Sequence, residues 1–353
     1  MRKTLLLAPV AAAVALALSP VAQADDAGTT TISNTGFIDF TSINTKNAGA
    51  TVDPNGYGLD VTRWYLTVLH TIDDTWSTNL TTDFNLLSNK DSVGGKFTEG
   101  ETQVFIKKAY LQGKFSDMAV LHIGSYDMPW APYVEGIYGY RFVEKTLTDR
   151  ESFSNTADWG INLSGNNGMF NYSASMVNGG GFKNPSRSKG MDFDARLGFV
   201  PVDGLTIAVD LFSGKRGLDT ETTPAVNTAS RQDLLVAWKA SGLTVGAEYM
   251  TADKYNDVLT PAGSPTTKSD GYSVFGSFDI PNTDYSVFAR DDSFKPKKDT
   301  DSSLEDKYFN AGFAWKTNKN LTWAFAYKND KLSDSSGVDV KTEEFGVWAQ
   351  VKF

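Results

Sequence analysis

No cysteine occurs in this chain of 353 residues, so it forms no disulfide and offers no thiolate nucleophile, iron–sulfur site or cysteine zinc site. Histidine is nearly as scarce. His70 and His122 lie far apart with no acid at ligand spacing, whereas hydrolytic chemistry in a barrel needs a histidine paired with a serine or aspartate. His122 reads as a polar residue of the lumen wall and His70 lies near a tight turn, and no catalytic residue, metal or cofactor is assigned. Positive charge is under-represented too. The 33 Lys and Arg against 42 Asp and Glu give a formal charge of −9, which disfavours nucleic acid as a partner. Amphipathic helical stretches longer than two turns are missing, as are long apolar runs beyond the N-terminus.

The one apolar run, Leu5 to Leu18, follows Arg2 and Lys3 and precedes Ala22-Gln23-Ala24, a small-x-small cleavage site. It falls short of the ~20 residues of a spanning helix. Residues 1–24 are therefore expected to be a signal peptide and residues 25–353 the mature domain, with an uncleaved anchor as the alternative. Loss of Arg2 and Lys3 takes the formal charge from −9 to −11.

What the chain does have is a rhythm. Phe345, Val347, Ala349, Val351 and Phe353 share one side of an extended segment, while Glu344, Gly346, Gln350 and Lys352 share the other. Trp323, Phe325 and Tyr327 repeat the pattern one segment earlier, and Phe309, Ala311, Phe313 and Trp315 one before that. With 31 glycines, 12% aromatics and a slightly negative mean hydropathy, half of each strand is expected to face water and half lipid.

Connections alternate in length. Tight turns fall near Asp73-Asp74, Ser116-Asp117, Asn166-Asn167-Gly168, Val202-Asp203-Gly204, Ser241-Gly242, Pro281-Asn282 and Asn318-Lys319-Asn320. Longer polar connections fall near 45–56, 88–100, 127–153, 178–189, 214–229, 252–270, 293–305 and 330–338. Seven turns and eight loops join sixteen strands, with 14 or 18 following if one hairpin is misread. The expected fold is all-β, a transmembrane antiparallel β-barrel of 16 strands, too wide for its own side chains to fill.

The third long connection carries Asp127, Trp130, Tyr133, Glu135, Tyr138, Tyr140, Arg141, Phe142, Glu144, Lys145, Asp149 and Arg150. So many aromatics suit packing against the inside of the barrel better than an outer surface, although a loop covering the barrel mouth is the alternative. In topology the chain resembles the trimeric Gram-negative porins of the outer membrane. The residues Gly124, Pro129, Trp130, Arg141, Glu144, Asp149 and Arg150 are similar to the phosphate-selective porin O and P family. The first resemblance spans the mature chain, the second only this loop.

The resemblance implies a third loop folded into the lumen, a homotrimer, and contact with outer-membrane lipid and lipopolysaccharide. It also makes Arg63 and Lys108 counterparts of the basic wall cluster that faces the third loop. Alternation by itself turns Lys108, Tyr110, Gln112 and Lys114 to water if Ala109, Leu111 and Phe115 face lipid, and treats Arg63, Arg196 and Arg290 likewise. Inward acids, among them Asp83, Asp158, Asp192, Asp194, Asp210 and Glu248, are at least as numerous, which departs from the basic channels of the phosphate-selective family.

In a constriction, low-dielectric walls focus the field of such charges on a passing ion. Here neither sign wins clearly. The expectation is a porin that passes small hydrophilic solutes and ions passively, without enzymatic chemistry. Two alternatives stand beside it: a channel selective for anions or for sugars stacking on Trp130 and the loop tyrosines, and a barrel serving mainly as an adhesin or receptor. Asp299, Asp301 and Ser303 mimic a calcium loop, but Leu304 and Asn310 stand where glycine and glutamate are needed. Gly179-Gly180-Gly181 reads as flexible loop.

Overall fold

The computed structural model describes residues 28–87, 101–334 and 339–353, with 85–87 and 101–103 as backbone alone. The connection at 88–100 lies outside the described residues, as do residues 1–24 of the expected signal peptide and residues 335–338 of the connection at 330–338.

Sixteen strands follow one another: β1 (Thr30–Asn47), β2 (Ala50–Thr71), β3 (Trp76–Leu87), β4 (Glu101–Ser116), β5 (Ala119–Asp127) and β6 (Ala157–Asn166). The middle of the chain supplies β7 (Phe170–Val177), β8 (Asp192–Phe199), β9 (Leu205–Gly214), β10 (Ala229–Ala240) and β11 (Leu243–Asp253). The wall is completed by β12 (Lys268–Asp279), β13 (Tyr285–Lys295), β14 (Glu305–Asn318), β15 (Leu321–Ser333) and β16 (Val340–Lys352). Each strand pairs antiparallel with its neighbours in sequence, and β1 also pairs with β16, so the sheet closes with no free edge. Closure is what lipid demands, because an unpaired backbone N–H in hydrocarbon costs several kcal/mol.

Side-chain direction follows the expected alternation. Phe40, Val347, Phe325 and Phe313 stand side by side across four strands, and Ile38, Ala349, Trp323 and Trp315 form the row toward the short turns. Phe345 on this outer face is 64% exposed, whereas Trp348, pointing inward from the same strand, is 2% exposed. An apolar outside and a polar inside invert the pattern of a soluble protein and fit a lipid solvent.

Two details differ from expectation. The first long connection is a tight turn at Ala48 and Gly49, whose φ values of 47° and 83° suit a two-residue hairpin turn. Pairing continues from Asn47↔Ala50 to Thr45↔Val52, then skips Asp53 and Pro54. Proline has no N–H for the ladder, so the strand accommodates it in a bulge instead of ending. The third long connection contains two short helices, α1 (Ala131–Tyr138) and α2 (Leu147–Arg150), the first opened by Pro132 and closed by Gly139 at φ 81°.

Candidate functional site

The third connection leaves β5 and reaches the inner wall on the far side of the barrel. Trp130, with no exposed surface, donates its indole N–H to Glu248 Oε1 of β11 at 2.8 Å. Tyr138 packs edge-on against Phe275 of β12 and its hydroxyl accepts a bond from Asn310 of β14 at 3.2 Å. Tyr140 stacks on Phe288 of β13 at 4.1 Å, with its hydroxyl 2.8 Å from Ser286. Leu147 and Phe153 join Phe212, Met250 and Phe294 in an apolar cluster. These wall residues alternate with the lipid-facing ones, so the loop is packed against inward-facing side chains.

Charge completes the anchoring. Arg290, 2% exposed, donates to Asp292 and to the carbonyl of Lys145. Arg150 reaches Glu151 and Asp306 at 2.6 Å, Asp330 at 3.1 Å and Asp292 at 3.5 Å. One cation among four carboxylates favours a retained proton. Burial pushes the Glu151 carboxyl up to about 8, with Arg150 opposing and Asp306, Asp330 and Asp292 adding to the rise. Glu144 shows the opposite outcome: burial alone would raise it, but Lys328, the Lys145 amide, Arg290 and Arg150 together hold it at about 2. Within the loop, Arg141 bridges Glu135 at 2.6 Å and Asp149 at 3.3 Å.

The opposite edge of the loop meets the wall through Phe142 on Phe37 of β1 and through Glu144 on Lys328 of β15 at 3.3 Å, and beyond these contacts it borders open space. Between it and β1, β2, β15 and β16 lies a water-accessible space of about 500 Å3, bordered by Arg141, Phe142, Val143, Glu144 and Lys145 from the loop. The wall contributes Asp39, Asp60 and Glu344 in one group and Arg63 and Lys328 beside them. Arg63 holds Asp83 at 2.9 Å. Lys107 lies 3.2 Å from the Tyr65 hydroxyl, and Lys183, from the connection after β7, lies 4.5 Å from the ring centroid of Phe105. Burial first, then Arg63, with Lys145 and Lys107 adding and Asp83 opposing, hold the Lys183 amine below its ordinary value. Arg63, Lys107, Lys145 and Lys183 therefore form one basic corner, with Asp83 among them.

The residues singled out from the sequence thus divide by role. Arg63, Arg141, Glu144 and Lys145 border the open space. Lys108 meets Asp127 at 2.5 Å on the wall below the loop. Arg196 lies 3.7 Å over the Tyr133 ring and donates to the Pro129 carbonyl at 3.0 Å. Arg290, Trp130 and Tyr138 are corrections: they are buried anchors and cannot touch a solute, which removes the platform for sugar stacking on Trp130 and Tyr138. Lys114 faces the lumen near a tight turn, where it pairs with Asp117 at 2.8 Å. The triglycine is also more than flexible loop, because the Gly179 and Gly181 amides donate to Asp158 at 3.1 and 3.0 Å.

Alternation missed Lys107. A register shift in the β3–β4 ladder sets Thr81 opposite Lys108 and Thr82 opposite Ile106, so Lys107 is the extra residue and turns inward beside Lys108. Lys328 and Trp348 were within reach of alternation, since Tyr327, Val347 and Ala349 beside them face out.

No family model matches the chain, and no curated protein does. Solved structures do match. The outer membrane protein OmpT of Vibrio cholerae with its loop L8 deleted superposes with a TM-score of 0.65 at 14% identity, over 93% of this chain and 100% of that one. The outer membrane channel DcaP of Acinetobacter baumannii gives 0.66 at 11% identity, over 94% and 99% of the two chains. An anion-selective porin from Comamonas acidovorans gives 0.61 at 11%, over 92% and 100%. At these identities the likeness is one of fold, and the fold is that of outer-membrane channels.

Proposed function

We propose that this chain is an outer-membrane porin, passing small hydrophilic solutes and ions by diffusion through water, without covalent chemistry. The observation that carries the reading is the third loop, packed by buried rings and ion pairs against one half of the inner wall while its other edge borders open, charged space. Residues 1–24 act as an export signal on this reading. Width is set by where the loop is pinned, and the field by the side chains that water reaches. Arg63, Lys107, Lys145 and Lys183 draw anions toward one side, and Asp39, Asp60 and Glu344 draw cations toward the other. With both signs present, net selectivity is weak.

The outer surface supports the membrane partners. Lys46, Lys341, Lys331 and Lys307 stand in register on the outward face of four adjacent strands, toward the loop end of the barrel, beyond the apolar rows. Such a row suits the phosphates of lipopolysaccharide, even with Glu305, Asp339 and Glu343 as neighbours at 2.8–3.2 Å. Assembly as a homotrimer belongs to the same reading, and the Vibrio cholerae OmpT of similar fold is described in a trimer form. Reconstitution of the purified protein in a planar bilayer tests the proposal. Stable ohmic current steps with a reversal potential near zero in a KCl gradient are expected; absence of current would favour an adhesin or receptor.

A further inference from the structure

Beneath the start of the third loop, toward the tight turns, two connected spaces of about 460 and 880 Å3 share Tyr126, Ser164 and Asn166 in their walls. Acids and bases there are matched, except at one position. Lys108 holds Asp127 at 2.5 Å and Lys114 holds Asp117 at 2.8 Å. Arg196 has no carboxylate within 4 Å among the described residues; Asp210, opposite it on β9, is held by Arg231 at 2.9 Å. The Arg196 Nε donates to Pro129 and one terminal nitrogen to Asn171, while Nη2 has no hydrogen-bond partner among the described residues, and Arg196 lines the smaller space. Tyr133 under the guanidinium fixes its plane.

The rest of the vestibule is aromatic or neutral and polar. Tyr126 lies with one face on His122, ring centroids 3.5 Å apart, and Tyr110 abuts it edge-on at 4.9 Å. His122 is itself fixed by Gln112 at 3.0 Å and Asn162 at 3.3 Å. Neither the Tyr110 nor the Tyr126 hydroxyl has a hydrogen-bond partner among the described residues. A fixed ring, an oriented cation with an open N–H edge, and amide and hydroxyl groups around them describe a receptor, not a bare wall.

We propose that this vestibule is a binding subsite for small monocarboxylates that carry a ring, the carboxylate taken by Arg196 and the ring by Tyr126. A single unmatched cation selects one negative charge. The planar N–H edge of a guanidinium favours a carboxylate over a spherical anion. Polyanions gain less, because Asp117 and Asp127 stand nearby. The inference rests on the channel reading only for how the ligand arrives, so binding and conduction are measured separately.

The test is calorimetric titration of the detergent-solubilised full chain with benzoate, benzyl alcohol and acetate, together with benzoate block of current from each side of a bilayer. Benzoate is expected to bind at least roughly tenfold more tightly than either of the others, a difference of about 1.4 kcal/mol, and to block from the tight-turn side. Arg196→Gln abolishes the preference over benzyl alcohol. Tyr126→Leu abolishes the preference over acetate. Because Arg196 also holds Pro129, Arg196→Lys is the second variant; it keeps the charge, and benzoate binding falls while the barrel folds. Equal binding of benzoate and benzyl alcohol, undiminished benzoate binding by both Arg196 variants, or no binding at all would overturn the subsite. A chain that conducts without binding benzoate loses this proposal alone, and one that binds benzoate without conducting loses only the channel reading.

Discussion

The two halves of the inner wall use charge in opposite ways. From β9 to β14 it is covered: Arg231 is closed in by Asp210 at 2.9 Å, Asp233 at 2.5 Å and Asp194 at 3.6 Å, and donates to the carbonyl of Phe153 at 2.6 Å. Arg290 and Arg150 repeat the arrangement further round, each tying the third loop to wall carboxylates. From β1 to β4, with β16, the wall is open, and Arg63, Asp39, Asp60 and Glu344 border water. Charge in a lumen therefore serves either loop placement or solutes. Counting inward residues by sign does not separate the two.

Removing an anchor on the covered half should have the largest effect. Arg290→Ala leaves buried Asp292 with only the more distant Arg150 at 3.5 Å and frees the Lys145 carbonyl, at a cost of about 3 kcal/mol. The expected result is a lower unfolding temperature by calorimetry and a larger, noisier single-channel current; an unchanged trace would dissolve the contrast between the halves. Trp130→Phe is a milder version. It deprives buried Glu248 of one donor at about 1–3 kcal/mol, and should lower the unfolding temperature with the current nearly unchanged.

On the open half the effect should be chiefly on selectivity, with a smaller loss of stability where Arg63 holds buried Asp83 at 2.9 Å. Neutralising Arg63 and Lys107 together with glutamine should move the reversal potential in a KCl gradient toward the cation side, most strongly at low salt. Asp233→Asn on the covered half should leave it unmoved, since water does not reach that carboxylate. A pH effect sharpens the boundary between the two. Glu151 is neutral below about 8 and anionic above it, packed against Arg150, Asp306, Asp330 and Asp292. Its raised value means that the folded state holds a proton the unfolded chain releases near 4.5, so loop anchoring weakens as pH rises through 8. Between pH 7 and 9 the unfolding temperature should fall slightly and cation preference rise. Glu144, depressed to about 2, keeps its contribution until pH falls through that value. The smallest change belongs to Lys114→Gln at the rim, which should leave selectivity as it was.

Why some of this could be read from the sequence, and some not, follows from what alternation encodes. The face of each strand residue is a local property, and Phe313, Phe325 and Phe345 declare it plainly. Depth under the loop is a long-range property: Arg63 and Arg290 look alike in sequence, yet one meets water and the other lies under Tyr138 and the Lys145 carbonyl. Lys107 was hidden by a bulge, which reverses the parity of everything beyond it. The aromatic richness of the third loop announced that it packs inside, but its partners on β11 to β15 are set by barrel closure and not by anything near it in the chain.

Because the chain has no cysteine, single introduced thiols report accessibility without background. Thr62→Cys, beside the open space, and Ser273→Cys, under Arg290, sit on the two halves. With a charged methanethiosulfonate reagent and current as the readout, Thr62→Cys should react quickly and change the conductance, whereas Ser273→Cys should stay inert. Equal reactivity at both sites, or a reaction that leaves the current untouched at Thr62→Cys, would contradict a water-filled channel whose third loop covers only one half of its wall.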